Sequence, residues 1–223
     1  MRYAHWENTK ATDMENLKTV NTHENACILV IDVQLDFLPG GALAVPDGDA
    51  VIPVICGLIE SGKFGTVVAT QDWHPAGHSS FASSTPGAEP FTLTQAAYGP
   101  QTLWPDHCVQ GTPGATIMLP PVYLDKVQAI IRKGFRPEVD SYSAFMENDR
   151  KTRTGLGEML RERGVTKIFI AGLALDYCVN FSAIDARAMG FDVTVILEGC
   201  RGIADESVKD AVSEMTDCGV RFI

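Results

Sequence analysis

The sequence has no pair of cysteines at a CxxC spacing, although it holds six in all, Cys27, Cys56, Cys108, Cys178, Cys200 and Cys218. This excludes a metal knuckle or a dithiol redox motif, and a chain of this size needs no disulfide framework. A surplus of positive charge is also missing, since 18 Lys and Arg stand against 28 Asp and Glu for a net charge of -10. Nucleic acid and anionic membranes require clustered cations, so both are excluded as partners. There is no run of about 18 apolar residues, the length a membrane span needs. Nor does a basic start lead into an apolar stretch, as an export signal would. The expectation is a soluble, cytoplasmic protein with reduced cysteines and a small neutral or nitrogenous substrate.

What is present is 223 residues with 45% hydrophobic content. That is enough for one sizeable core and too little for two comfortable domains. Residues 1–25 form a polar arm whose composition allows disorder, and residues 26–223 read as one domain. In that domain short β-branched runs alternate with helical segments. Strands are predicted at Cys27–Asp32, Thr66–Thr70, Val127–Lys133, Lys167–Gly172, Asp192–Leu197 and Val220–Ile223. Their apolar residues are consecutive, the pattern of strands covered on both faces. Helices are predicted at Asp49–Ser61, Thr154–Gly164, Tyr177–Met189 and Asp205–Asp217, several followed by a glycine suited to a C-cap. The alternation implies an α/β fold: a doubly wound, mostly parallel sheet of about six strands with helices on both faces, a three-layer sandwich. From Gln71 to Pro121 neither period is visible, and a loop that long is more often functional than merely connective.

In such sheets ligands bind beyond the carboxyl ends of the strands. Asp32 closes the first strand in VIDVQLDF, Asp72 follows the second, Lys133 ends the third and Cys178 follows the fourth in GLALDYCVN. Taken singly, each has an ordinary structural role open to it, from turn cap to solvated strand end to small core residue. Taken together they form a nucleophile, an acid/base and a cation at ends that the fold must bring near one another. A cysteine attacks a carbonyl as thiolate, so something must lower its pKa or take its proton. With Asp176 as N-cap, Cys178 would lie in a first helical turn, where the dipole favours a thiolate. Asp32 would accept the thiol proton and return it to a leaving amine, and Lys133 would hold the charges in place. Backbone N–H groups at Ala174 and Cys178 would form an oxyanion hole.

The long loop contains TQDWHPAGHSSF and LWPDHCVQGTPG. Asp72, His74 and His107 offer one carboxylate and two imidazoles, a set suited to Zn²⁺, Fe²⁺ or Mn²⁺. His78 is either a further ligand or an outer residue orienting one, and the latter is favoured. A structural zinc site using Cys108 beside His107 is the less favoured arrangement.

These residues, in this order, resemble the nicotinamidases of the isochorismatase-like cysteine hydrolase superfamily. The matching segments are IDVQLDFLPGGALAV, VVATQDWHPAGHSSFAS, LWPDHCVQGTPGA, IIRKG followed by YSAF, and IFIAGLALDYCV. The resemblance implies hydrolysis of nicotinamide to nicotinate and ammonia through a Cys178 thioester, a step of NAD salvage, with Asp32 and Lys133 completing the catalytic set. It implies a divalent metal on Asp72, His74 and His107 that positions the pyridine ring. Phe37, Trp104 and Tyr142 would surround that ring, with Leu43 a weaker candidate, and a cis peptide would precede Ala174. It is compatible with a monomer or a homo-oligomer. Leu35 and Leu175 depart from the family pattern, where Asn and Thr are common. The alternatives are a relative cleaving another small amide or an ether, and a non-catalytic metal or small-molecule binder. The DWH and WPDHC segments favour the metal-containing amidase over the first. The joint presence of Asp32, Lys133 and Cys178 speaks against the second.

Overall fold

A computed structural model describes residues 24–223, so nearly all of the polar arm lies outside the described residues. Six strands form one parallel sheet: β1 (Ala26–Ile31), β2 (Thr66–Asp72), β5 (Ala129–Lys133), β6 (Lys167–Leu173), β7 (Asp192–Arg201) and β8 (Arg221–Phe222). Their spatial order is β5-β2-β1-β6-β7-β8. The chain winds outward from β1 in one direction and from β6 in the other. The β1–β6 seam is therefore the point where the winding reverses, the place such sheets reserve for ligands.

The two faces of β1 show why the sheet is covered on both sides. Ala26, Ile28 and Val30 enter one apolar cluster with Val51, Ile55, Leu58 and Ile59 of α1 (Val51–Glu60). Cys27, Leu29 and Ile31 enter the other. There they join Leu156 and Leu160 of α3 (Leu156–Glu162), Ala183 and Ala186 of α4 (Asn180–Ala188), and Ala211 and Met215 of α5 (Asp205–Asp217). Every residue of β1 and β2 is buried, which is why their apolar letters run consecutively rather than alternate. Among the described residues no helix is long and apolar enough to cross a membrane.

Apart from shifts of one or two residues at element ends, the elements differ from the sequence reading in four places. The third sheet strand begins at Ala129 rather than Val127, because Val127 N–H closes a turn on Leu124 O at the end of the short helix α2 (Pro121–Leu124). Strand β7 runs on to Arg201, past the expected Leu197. A register shift between Ile170 and Gly172 lets the pairing resume at Gly172 with Cys200. The stretch from Gln71 to Pro121 contains a hairpin, β3 (Leu93–Ala96) with β4 (Gly99–Thr102). Its strands are short, mostly polar or small and only partly buried, so no apolar alternation announces them. The predicted helix from Tyr177 is split, with a π-helical turn over Leu175–Val179 leading into α4. Such single π turns recur at functional sites.

Candidate active site

Asp32 follows β1 directly and has a positive φ of 45°, an uncommon conformation for a residue other than glycine. Thr70 of β2 fixes it twice, accepting from Asp32 N–H at 3.0 Å and donating its hydroxyl to Oδ1. Lys133 ends β5 in register with Asp72 of β2, and its side chain is fully buried. Its Nζ lies 2.7 Å from Asp32 Oδ2, 2.8 Å from Asp72 Oδ1 and 3.3 Å from Cys178 Sγ. The ammonium donates hydrogen bonds to Asp72 Oδ1 and Cys178 Sγ and stands at ion-pair distance from Asp32 Oδ2. The structure thus brings Asp32, Lys133 and Cys178 together beyond the strand ends.

Electrostatics follow from that packing. Burial pushes the Asp32 carboxyl above its ordinary value, Lys133 pulls it part of the way back, and the Asp72 charge adds to the rise. Burial also pushes the Cys178 thiol well up, with Lys133 opposing and the two aspartates reinforcing. The helix-start position therefore does not by itself leave a standing thiolate, and the sulfur needs a base beside it. The expected N-cap is likewise corrected. Ala174 occupies the cap of the π turn, and no side chain bonds there. The Asp176 carboxylate points instead to a distant segment, accepting from Ile203 N–H, Ala204 N–H and the Ser207 hydroxyl. The Leu173–Ala174 peptide bond is cis, as the resemblance implied.

The proposed metal ligands also converge. His107 Nε2 is 3.3 Å and His74 Nδ1 3.7 Å from Asp72 Oδ2. The remaining ring nitrogens are both engaged: His107 Nδ1–H donates to Pro105 O at 2.8 Å, and His74 Nε2–H donates to Asp140 Oδ1 at 2.9 Å. These partners set the tautomers and turn His107 Nε2 and His74 Nδ1 lone pairs toward Asp72. His74 Nδ1 is buried and has no hydrogen-bond partner, which is costly unless a cation completes it. The residues therefore fit a divalent metal held by two nitrogens and an oxygen. Burial would raise the Asp72 carboxyl, but Lys133, then His74 and His107, outweigh it and hold it well below the usual carboxylate range. Gln34 clamps the Asp72 backbone from both sides, accepting from its N–H at 2.7 Å and donating to its carbonyl at 2.8 Å.

His78 is no ligand in this arrangement. Its Nε2–H donates to Arg136 O and its Nδ1 accepts from the Ser80 hydroxyl, both at 2.8 Å. Its ring packs edge-on against His74, with centroids 4.6 Å apart. Cys108 Sγ is 4.0 Å from Gly114 O, and the cysteine belongs to neither group of side chains close enough to hold a cation, Asp72 with His74 and His107 or His74 with His78 and Asp140. Gly134 backs the His74 ring with φ +68°, and a Cβ there would lie 2.6 Å from His74 Nε2. Gly134→Ala is therefore expected to cost about 1–3 kcal/mol in backbone conformation alone. It should also lower the content of any divalent metal per chain; thermal unfolding and elemental analysis of the purified variant check the two effects.

A pocket opens above the nucleophile, lined among others by Phe37, Leu43, Trp104, Tyr142, Tyr177 and Ile203, with Asp72, His107, Ala174 and Cys178 at its floor. The three expected aromatics are all in it, and so is Leu43. Trp104 meets Tyr177 edge-on at 4.8 Å and donates its indole N–H to Tyr142 Oη at 3.1 Å. Gln101 donates to the same oxygen at 2.8 Å. The sequence reading missed Asp140, Tyr177 and Ile203. Tyr177 stood inside the nucleophile motif, whereas Asp140, in a polar stretch before Tyr142, looked like one more turn carboxylate.

The chain matches the family model for the isochorismatase domain over residues 26–223. It is 49% identical over 200 residues to a nicotinamidase of Acinetobacter baylyi, covering 89% of this chain and 92% of that protein. A solved nicotinamidase/pyrazinamidase of Acinetobacter baumanii superposes with TM-score 0.85 at 46% identity, covering 90% of this chain and 96% of that one. A pyrazinamidase of Pyrococcus horikoshii, solved in complex with zinc, superposes with TM-score 0.72 at 36% identity, covering 89% and 98%.

Proposed function

Since the chain belongs to the isochorismatase family, we propose that it is a nicotinamidase, hydrolysing nicotinamide to nicotinate and ammonia through a thioester on Cys178. The observation that carries the reading is the convergence of Asp32, Asp72 and Cys178 on the buried Lys133 ammonium, with His74 and His107 clustered beside Asp72. Residues 26–223 are the unit to which we assign the reaction. Six cysteines without a disulfide support a cytoplasmic setting.

Asp72, His74 and His107 would hold a divalent ion, Zn²⁺, Fe²⁺ or Mn²⁺, which when bound supplies a Lewis-acid anchor for the pyridine nitrogen. Phe37, Trp104 and Tyr142 orient the ring and exclude water from its faces. Asp32 takes the Cys178 proton as the sulfur attacks the amide carbon, and a C–S bond forms. Backbone N–H groups of Ala174 and Cys178 receive the developing oxyanion, donors worth about 2.7–4 kcal/mol each in other enzymes. The raised carboxyl of Asp32 suits it to hand the proton to the departing nitrogen, and the C–N bond breaks. Asp32 then deprotonates a water that attacks the thioester, the C–S bond breaks, and the thiol regains its proton. Lys133 opposes the rise of the Asp32 carboxyl and stays charged throughout.

The test is ammonia release from nicotinamide by purified protein, as isolated, after chelation and after reloading with each of the three metals. Turnover lost on chelation and regained on reloading is the expected result. No turnover from fully loaded protein would remove the reading.

A further inference from the structure

Asp176 stands two residues before the nucleophile and does none of the work of capping its own turn. Its buried carboxylate instead gathers one segment of the β7–α5 connection. Ile203 N–H lies 3.0 Å from Oδ1 and 3.1 Å from Oδ2, and Ala204 N–H lies 3.3 Å from Oδ2, where the Ser207 hydroxyl also donates. Ala204 is the N-cap residue of α5 and offers no side-chain cap, and Asp176 supplies from another element an acceptor for the backbone N–H of that cap residue itself. The approach is close because Gly202 leaves room: a Cβ at that position would meet Val208 Cγ2 at 2.1 Å and Asp176 Oδ1 at 3.1 Å.

The segment held in this way carries a wall of the pocket. Ile203 lines it together with Tyr177 and Cys178, the two residues that follow Asp176 in the chain. We infer that Asp176 is a positioning residue that fixes the distance between Ile203 and the nucleophile turn, and that Ile203 is a specificity-determining wall for the substrate ring. The inference rests on the nicotinamidase reading. Both flanks of the ring site, one led by Tyr177 and one by Ile203, are then set by a single carboxylate, and neither depends on the metal cluster. Removing that carboxylate releases the Ile203 wall and loosens ring binding. Asp32, Lys133 and Cys178 are held by other bonds and keep their arrangement.

A double-mutant cycle on the metal-loaded enzyme tests this, reading kcat and KM for nicotinamide. Asp176→Ala and Ile203→Ala are each expected to raise KM by about tenfold with kcat within about threefold, the pattern of lost ring binding without lost chemistry. Asp176→Asn retains an acceptor oxygen for the two N–H groups and should restore most of the KM. The double variant should be no worse than the poorer single one, because both changes remove the same wall. Multiplying effects would overturn the inference, as would an Asp176→Ala whose loss lies in kcat with KM unchanged. An Ile203→Ala with wild-type KM would also overturn it, and that result is decisive even if Asp176→Ala does not fold. Absence of turnover in the wild type would instead count against the nicotinamidase reading itself, so the two failures are distinct.

Discussion

Cys178→Ala is expected to lower kcat for nicotinamide by roughly 10⁴–10⁶-fold, the scale seen when the attacking group of a concerted catalytic set is deleted. In the proposed reaction the sulfur forms the bond that later breaks, and among the described residues no other thiol contacts Lys133 as Cys178 does at 3.3 Å. An alanine methyl leaves Asp32 and Lys133 still paired at 2.7 Å, so the fold should be nearly intact and the metal content unchanged. Ammonia release, thermal unfolding and metal analysis on one preparation separate these effects. Substantial residual turnover with bound metal would mean that the attacking group is something other than this thiol, even with the substrate correctly assigned. Thiol labelling gives an internal control, since Cys218 is the one exposed cysteine and should react equally in both proteins.

Lys133→Met carries the largest expected loss of stability. Its ammonium is surrounded by two buried carboxylates, at 2.7 Å and 2.8 Å, and deleting one member of a buried ionic set costs about 3–5 kcal/mol because the others are left uncompensated. The pH dependence follows from the signs. In the native protein Lys133 holds Asp72 below its ordinary pKa, so Asp72 contributes stability above its unfolded value of about 3.9 that is lost as pH falls toward the folded value. Asp32 already stands above its unfolded value in the native protein, and without the ammonium burial carries the folded pKa values of both aspartates upward. Each carboxyl then favours the fold only at low pH, and the variant loses stability as pH rises. The gap between wild type and variant should therefore widen from pH 5 to pH 8 in chelated samples. Denaturant unfolding across that range measures it, and a gap constant with pH would show that Lys133 does not carry the charge balance. Activity should fall with stability, since Asp32 would no longer be held as a base.

The sequence made the strand-end chemistry legible through joint placement: Asp32 after ILVI, Cys178 after KIFIAGLALDY, Asp72 and Lys133 each allow an ordinary role alone, but a parallel sheet must bring such ends to one rim. The histidine pair was visible because few histidines occur elsewhere in the chain. What stayed hidden were contacts between segments remote in sequence. Asp140 acts on His74, and Asp176 acts on Ile203 and Ser207, yet nothing local distinguishes either carboxylate from a turn residue or a cap. Leu175 was anomalous against the family pattern. The structure buries it in the same apolar cluster as Val179 and Phe145, where a hydroxyl would gain little. Leu35 is exposed, and nothing in the structure explains its departure. The hairpin was missed because partly buried, mostly polar or small strands of four residues carry no periodic signal.

The reversal of winding at β1 and β6 has a bearing on assembly of the chain. Everything before β6 supplies the base, the lysine and the cation ligands, while the sulfur arrives only with the second half. The two meet through a seam of residues far apart in sequence, Ile31 facing Gly172 at its end. Neither half can hydrolyse an amide alone, and pairings of such long separation are slow to form. Recovery of turnover after dilution from denaturant thus works as a clock for closure of that seam, whereas far-UV ellipticity, which helices restore locally, runs ahead of it.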